Sequence, residues 1–125
     1  MPIDPGVAQV ADRVQEALNA TDLSAFSDLL DPQVTWGAPG DPSPPCQNRR
    51  QVLAWYARGR ADGRRAQVNE VTCHGNKVII AMTVSSPDEV SDRWQVLTVA
   101  HGRVVDIRGY DTQQDAWTAA EIPDI

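Results

Sequence analysis

The sequence predicts an α+β fold in which a curved antiparallel or mixed sheet wraps around N-terminal helices. Three observations lead there. Apolar residues recur at helical spacing over residues 7 to 30, and beyond about residue 66 the period changes to two. The helical segments also gather ahead of four consecutive strand patterns instead of alternating with them, which separates α+β from α/β. With 125 residues, 42% of them hydrophobic, the chain has material for one core and not two. A single domain over residues 1–125 is expected, its core at about 5–120.

The elements follow in order. Val7, Val10, Ala11, Val14, Ala17 and Leu18 form one apolar helical stripe, with Asp4 able to cap it and Pro5 suited to its first turn. A second helix from about Thr21-Asp22 buries Leu23, Phe26, Leu29 and Leu30 and stops at Asp31-Pro32. Val34-Thr35-Trp36 has short β character. The next nine residues, Gly37 to Pro45, hold four prolines and two glycines, which suits a fixed loop over a cavity mouth. Asn48-Arg49-Arg50-Gln51 matches a capping box for a third helix carrying Val52, Leu53, Trp55 and Tyr56 and ending near Gly59 to Gly63. Strands are expected at about 66–73, 77–85, 92–100 and 103–110, with tight turns at Gly75-Asn76 and His101-Gly102. A last helix from about Thr112 to Ala120 and a short tail complete the chain.

The net charge of −6 repels polyphosphate and argues against nucleic-acid binding. The average hides an asymmetry. Residues 49–65 hold six arginines and one acid, Asp62, so this stretch carries +5 while the rest carries −11. It reads either as a patch for an acidic partner or ligand, or as a solvated helix face attracted to its own acidic neighbours. Ten arginines against the single Lys77 is a bias expected of a GC-rich genome and is not read as a binding signal. No apolar run approaches the roughly 18 residues of a membrane span, and Met1-Pro2-Ile3-Asp4-Pro5 lacks the pattern of a signal peptide, so a cytoplasmic protein with no membrane partner is expected. Cys46 and Cys73 have no metal-ligand spacing, and His74 and His101 stand far apart, so no metal site is expected and two free thiols are preferred over a disulfide. Glycine-rich phosphate loops and dinucleotide fingerprints are absent, and no cofactor is implied. A nucleophile–base–orienter set is also missing, since both histidines lie at turns and Cys73 and His74 point to opposite strand faces.

Three segments carry a family resemblance: the helical pair ending in Leu29-Leu30-Asp31-Pro32-Gln33-Val34-Thr35-Trp36, the helix from Arg49 to Arg60, and the closing stretch from His101 to Asp111. Over about residues 5–120 the chain resembles the nuclear transport factor 2-like superfamily, particularly its bacterial SnoaL-like branch. The resemblance implies a cone-shaped, cystatin-like α+β roll with a pocket between the concave sheet face and the helices. It also implies a homodimer through the other sheet face, where Val104, Tyr110 and their neighbours would need cover. It does not fix an activity, because the superfamily hosts isomerases, cyclases, epoxide hydrolases, dehydratases, transport factors and binding domains.

The resemblance places Val105, Ile107 and Gly109 of the closing strand inward, together with Asp111. A simple two-residue hairpin at His101-Gly102 would pair them with Thr98, Val96 and Trp94, which would then join the pocket wall. One bulge would exchange that set for Arg93, Gln95, Leu97 and Val99. Trp36, Ala38 and Tyr56 are further lining candidates, and ordinary core packing is the competing role for the aromatic residues. Asp111 is the candidate catalytic residue, because a partly buried carboxylate at this strand end would move a proton. Asp111-Thr112-Gln113-Gln114 is equally a capping box, in which the carboxylate would do no chemistry.

Ketosteroid isomerase chemistry needs a tyrosine, a base and a protonated acid. The corresponding positions fall near Val14, Ala38 and Trp94, so all three groups are missing. Of the epoxide hydrolase cluster only Arg93 and Asp111 have counterparts. The expected function is therefore a small-molecule-binding domain for a hydrophobic ligand. The alternatives are a cofactor-free isomerase, cyclase or lyase acting on a hydrophobic ketone or polyketide-like substrate, and an interaction module using the arginine-rich helix or the sheet face.

Overall fold

The computed structural model describes residues 5–20 and 22–120. The proposed cap Asp4, the helix start at Thr21 and the tail after residue 120 lie outside them. Four helices and five strands follow one another as α1 (Pro5–Asn19), α2 (Leu23–Leu29), β1 (Leu30–Gly37), α3 (Arg49–Ala61), β2 (Arg65–His74), β3 (Lys77–Ser85), β4 (Val90–Ala100), β5 (Arg103–Tyr110) and α4 (Gln113–Ala119). The sheet order is β1-β5-β4-β3-β2. β1 runs parallel to β5 and all other pairs are antiparallel, so the fold is α+β with a mixed sheet.

Local chemistry sets most boundaries. The Asp22 carboxylate accepts the Ala25 amide to start α2, and the Asn48 side chain accepts the Gln51 amide at 2.9 Å to start α3. Gln51 closes its half of the box on the Gln47 amide at 2.7 Å, one residue earlier than the usual partner. Leu30 leaves the second helix and opens β1 instead, and Pro32 is tolerated because β1 is an edge strand. His101 and Gly102 both have positive φ, as the tight β4–β5 turn demands.

Two cores lie on opposite faces of the sheet. On the inner face, α1, α2 and α3 cover Val68, Val78, Ile80, Met82, Leu97, Val99, Val104 and Ile107. On the outer face, Ala116, Ala120 and Trp117 of the α4 region pack on Ile79, Val96, Trp94 and Tyr110. Strand alternation separates the two sets, with one departure that bears on the site. Val99 pairs with Val104, but Thr98 pairs with Asp106, so Val105 is an extra residue in β5.

That bulge corrects the expected register. Val104 turns inward and is fully buried, whereas Val105 leaves the inward row. Gly109 now faces Gln95, and Ile107 faces Leu97. Val96 and Thr98 are thereby turned to the outer face, where Val96 packs under α4 and Thr98 accepts a hydrogen bond from Lys77 Nζ at 2.7 Å. The ground for an outer-face dimer changes as well: Val104 is inside the core, and Tyr110 is partly covered by α4.

Candidate functional site

A cavity of about 860 Å³ opens between α3, the loop after β1 and the ends of β4 and β5. Its aromatic wall is built from three elements. Tyr56 of α3 stands edge-on to Phe26 of α2 at 4.9 Å between ring centroids, and lies tilted against Trp36 of β1 at 4.7 Å. Trp55 continues the wall 6.1 Å from Trp36 and is 48% exposed, so its ring edges the opening. The Tyr56 hydroxyl donates a long 3.4 Å bond to Gln95 Oε1, which marks a polar point in the wall, and burial pushes the phenol's pKa up.

The proline-rich segment forms one rim, contributing Ala38, Pro39 and Pro45. Two devices fix it. Cys46 pairs antiparallel with Trp36 through hydrogen bonds of 2.9 and 3.2 Å, which folds the loop back onto β1. Arg108 reaches across from β5 and donates from Nη1 to the Ala38 and Asp41 carbonyls at 2.8 and 3.0 Å. Its Nε donates to both Asp106 carboxylate oxygens at 3.1 Å, and Asp106 in turn accepts from Thr35 Oγ1 at 2.6 Å. Gly37 is required by close approach, since a Cβ there would stand 2.7 Å from Pro44 Cβ.

At the opposite rim Arg93 and Asp111 form an ion pair. The Asp111 side chain is 80% exposed, so it is a rim charge rather than a shielded acid. It does not cap the last helix either. Thr112 does, its hydroxyl accepting the Asp115 amide at 3.1 Å.

The cavity thus brings together Trp36, Ala38, Tyr56, Gly109 and Asp111. Trp94 borders it while packing with the outer cluster. Ile107 points inward but is sealed in the core, and Val96, Thr98 and Val105 lie off the lining. Sequence reasoning passed over Phe26 and Trp55 as lining and placed Arg60 and Arg64 only in an arginine-rich patch for an acidic partner or ligand; all four line the cavity. The signal for Arg60 was available, because it follows Tyr56 by one helical turn. Gln95 and Arg93 belong to the set that a bulge selects. Among the described residues no three His, Cys, Asp or Glu side chains gather as metal ligands, and Cys46 and Cys73 are both free. No described helix is long and apolar enough to cross a membrane.

Solved structures share this architecture at low identity, which shows the fold alone. A protein described as a candidate ketosteroid isomerase from Kribbella flavida has a TM-score of 0.73 at 17% identity, covering 86% of this chain and 78% of that one. A candidate polyketide cyclase from Sinorhizobium meliloti has a TM-score of 0.66 at 21% identity over 82% and 94% of the two chains. An epoxide hydrolase from M. tuberculosis has a TM-score of 0.65 at 16% identity over 93% and 90%. No curated protein matches the sequence. The model of the SnoaL-like domain matches residues 11–113, most of the chain and every element from within α1 to the start of α4, and the protein belongs to the SnoaL-like domain family.

Proposed function

We propose that the protein binds a small hydrophobic molecule in the cavity walled by Trp36, Tyr56 and Trp55. The observation that carries this is the cavity itself: about 860 Å³, within the range of about 300–1,000 Å³ usual for small-molecule sites, with an aromatic wall and charged side chains gathered toward its rims. The flat rings of Tyr56, Trp36 and Phe26 favour an aromatic or alicyclic body stacked between helix and sheet. Gln95 supplies a polar contact beside Tyr56.

Catalysis by Asp111, as in an isomerase, cyclase or lyase, requires a carboxylate held from water, and its exposure at the rim beside Arg93 does not favour that role. A homodimer would need a surface other than the one α4 covers; the exposed Val90 is outside that cluster.

The test uses Gly109. A Cβ there would meet only the Arg93 guanidinium, at 3.8 Å, so Gly109→Phe has open space to fill. With naphthalene-2-carboxamide as probe, calorimetry is expected to show binding to the wild type and at least tenfold weaker binding to Gly109→Phe, with both proteins melting within a few degrees of each other. Equal affinity for the two proteins, or no binding to the wild type, overturns the proposal.

A further inference from the structure

Two arginines continue the aromatic wall and have no carboxylate partner. Arg60 stands one helical turn beyond Tyr56, so the two side chains share a face of α3. Arg64 comes back over the end of the same helix, its Cδ 3.8 Å from where a Cβ on Gly59 would lie, and Gly59 leaves room for it. Both line the cavity. Ion pairs among the described residues involve only Arg93 and Arg108, so none of the six arginines in residues 49–65 is held by a described acidic neighbour.

The other charges at the cavity are largely committed. Arg65 donates from Nη1 to the carbonyls of Arg60 and Arg64 at 3.3 and 2.9 Å. The Asp22 carboxylate caps α2, Asp111 is paired with Arg93, and Asp115 lies in the first turn of α4, where a negative charge suits the helix N-terminus. Glu89 lies in the β3–β4 connection, which packs beside the α3–β2 turn (Arg65 pairs with Ser85, and a Cβ on Gly63 would stand 3.2 Å from Pro87), yet among the described residues its carboxylate makes no ion pair with Arg60 or Arg64. What remains on the α3 side is a pair of uncommitted cations next to a flat apolar surface, in a chain whose net charge is −6.

We infer that the ligand is an amphipathic anion, an aromatic or alicyclic acid whose body lies against Tyr56 and Trp55 and whose carboxylate meets Arg60 and Arg64. This rests on the ligand-binding reading above and adds the charge of the ligand to it. A guanidinium suits a carboxylate in particular, because its planar donors match the two oxygens.

A matched pair of probes separates the two readings: naphthalene-2-carboxylate and its neutral carboxamide, titrated by calorimetry into wild type and Arg60→Gln/Arg64→Gln. The acid is expected to bind the wild type about tenfold more tightly than the amide, the size of two partly screened charge pairs. In the double variant its affinity should fall to that of the amide, whose own affinity is unchanged. The difference should also shrink in 0.5 M salt. Equal affinity of the two probes for the wild type overturns the inference and leaves the cavity reading standing, and so does a double variant that weakens both alike. Failure of the carboxamide to bind the wild type overturns the cavity reading and this inference with it.

Discussion

Replacing Arg108 by methionine should unfasten the proline-rich rim of the cavity while keeping the apolar stem of the side chain. Arg108 is 18% exposed, and its four hydrogen bonds tie three parts of the chain together: the carboxylate of Asp106 and the backbone carbonyls of Ala38 and Asp41. The two bonds to carbonyls come from a charged donor, a class with a net value of about 1.5–3 kcal/mol, but both acceptors lie in a loop that water reaches after the substitution, which favours the lower end. The ion pair to Asp106, itself 27% exposed, adds up to about 1 kcal/mol. With each of the two bonds at that lower end, the sum is about 3–4 kcal/mol. At about 4 °C per kcal/mol for a domain of this length, the melting temperature should fall by about 12–16 °C. Thermal melts followed by circular dichroism measure this, and hydrogen exchange at the Trp36 and Cys46 amides reports whether the loop has come away from β1. Asp106→Asn is the control. It keeps the bonds from Arg108 to the loop and an acceptor for Thr35, and should cost about 1 kcal/mol or less. A melting temperature within about 2 °C of wild type for Arg108→Met, or an Asp106→Asn loss equal to it, would refute the view that this arginine fastens the loop.

Thr112→Ala removes the acceptor for the Asp115 amide and should cost about 1 kcal/mol in denaturant unfolding, whereas Asp111→Ala should leave stability nearly unchanged; the reverse order would return the cap to Asp111. Burial raises the Tyr56 pKa above its ordinary 10.0, so in alkali the unfolded chain gives up this proton before the folded one does. Its contribution to stability is constant below pH 10 and is lost above it, with a slope approaching about 1.4 kcal/mol per pH unit. Urea midpoints between about pH 9 and 11 should therefore fall less steeply for Tyr56→Phe than for wild type, and parallel profiles would contradict this. The shallower part that persists in the variant belongs to Tyr110, Cys46 and Cys73, whose pKa values burial also raises.

Much of the fold was legible because its signals are local. The stripe from Val7 to Leu18, the Asn48 cap and the turn at His101-Gly102 each depend on a few consecutive residues and elementary conformational preferences. The bulge at Val105 is different. It depends on Val104 meeting Leu30 of β1 and Val99 of β4 at once, while two residues on Asp106 meets Thr35. These pairings are distant in sequence and leave no periodic trace. One extra residue was enough to send Val96 and Thr98 to the opposite face from the one a simple hairpin predicts. Asp111 and Thr112 show a similar limit on a smaller scale, since adjacent residues were both competent caps and only the exact end of β5 decides between them. The return of Cys46 to Trp36 had no local signal at all.

The division of the apolar interior by the sheet has an evolutionary consequence. Ile79, Val96, Ala116 and Ala120 contribute to holding the chain folded without sharing a surface with the aromatic hollow on the other side. Random substitution can therefore retune robustness and ligand preference as nearly separate traits. A lineage changing what it recognises at Tyr56 can recover lost robustness beneath the last helix, and the two sets of replacements should combine additively except where they reach Trp94 or Tyr110, which touch both sides.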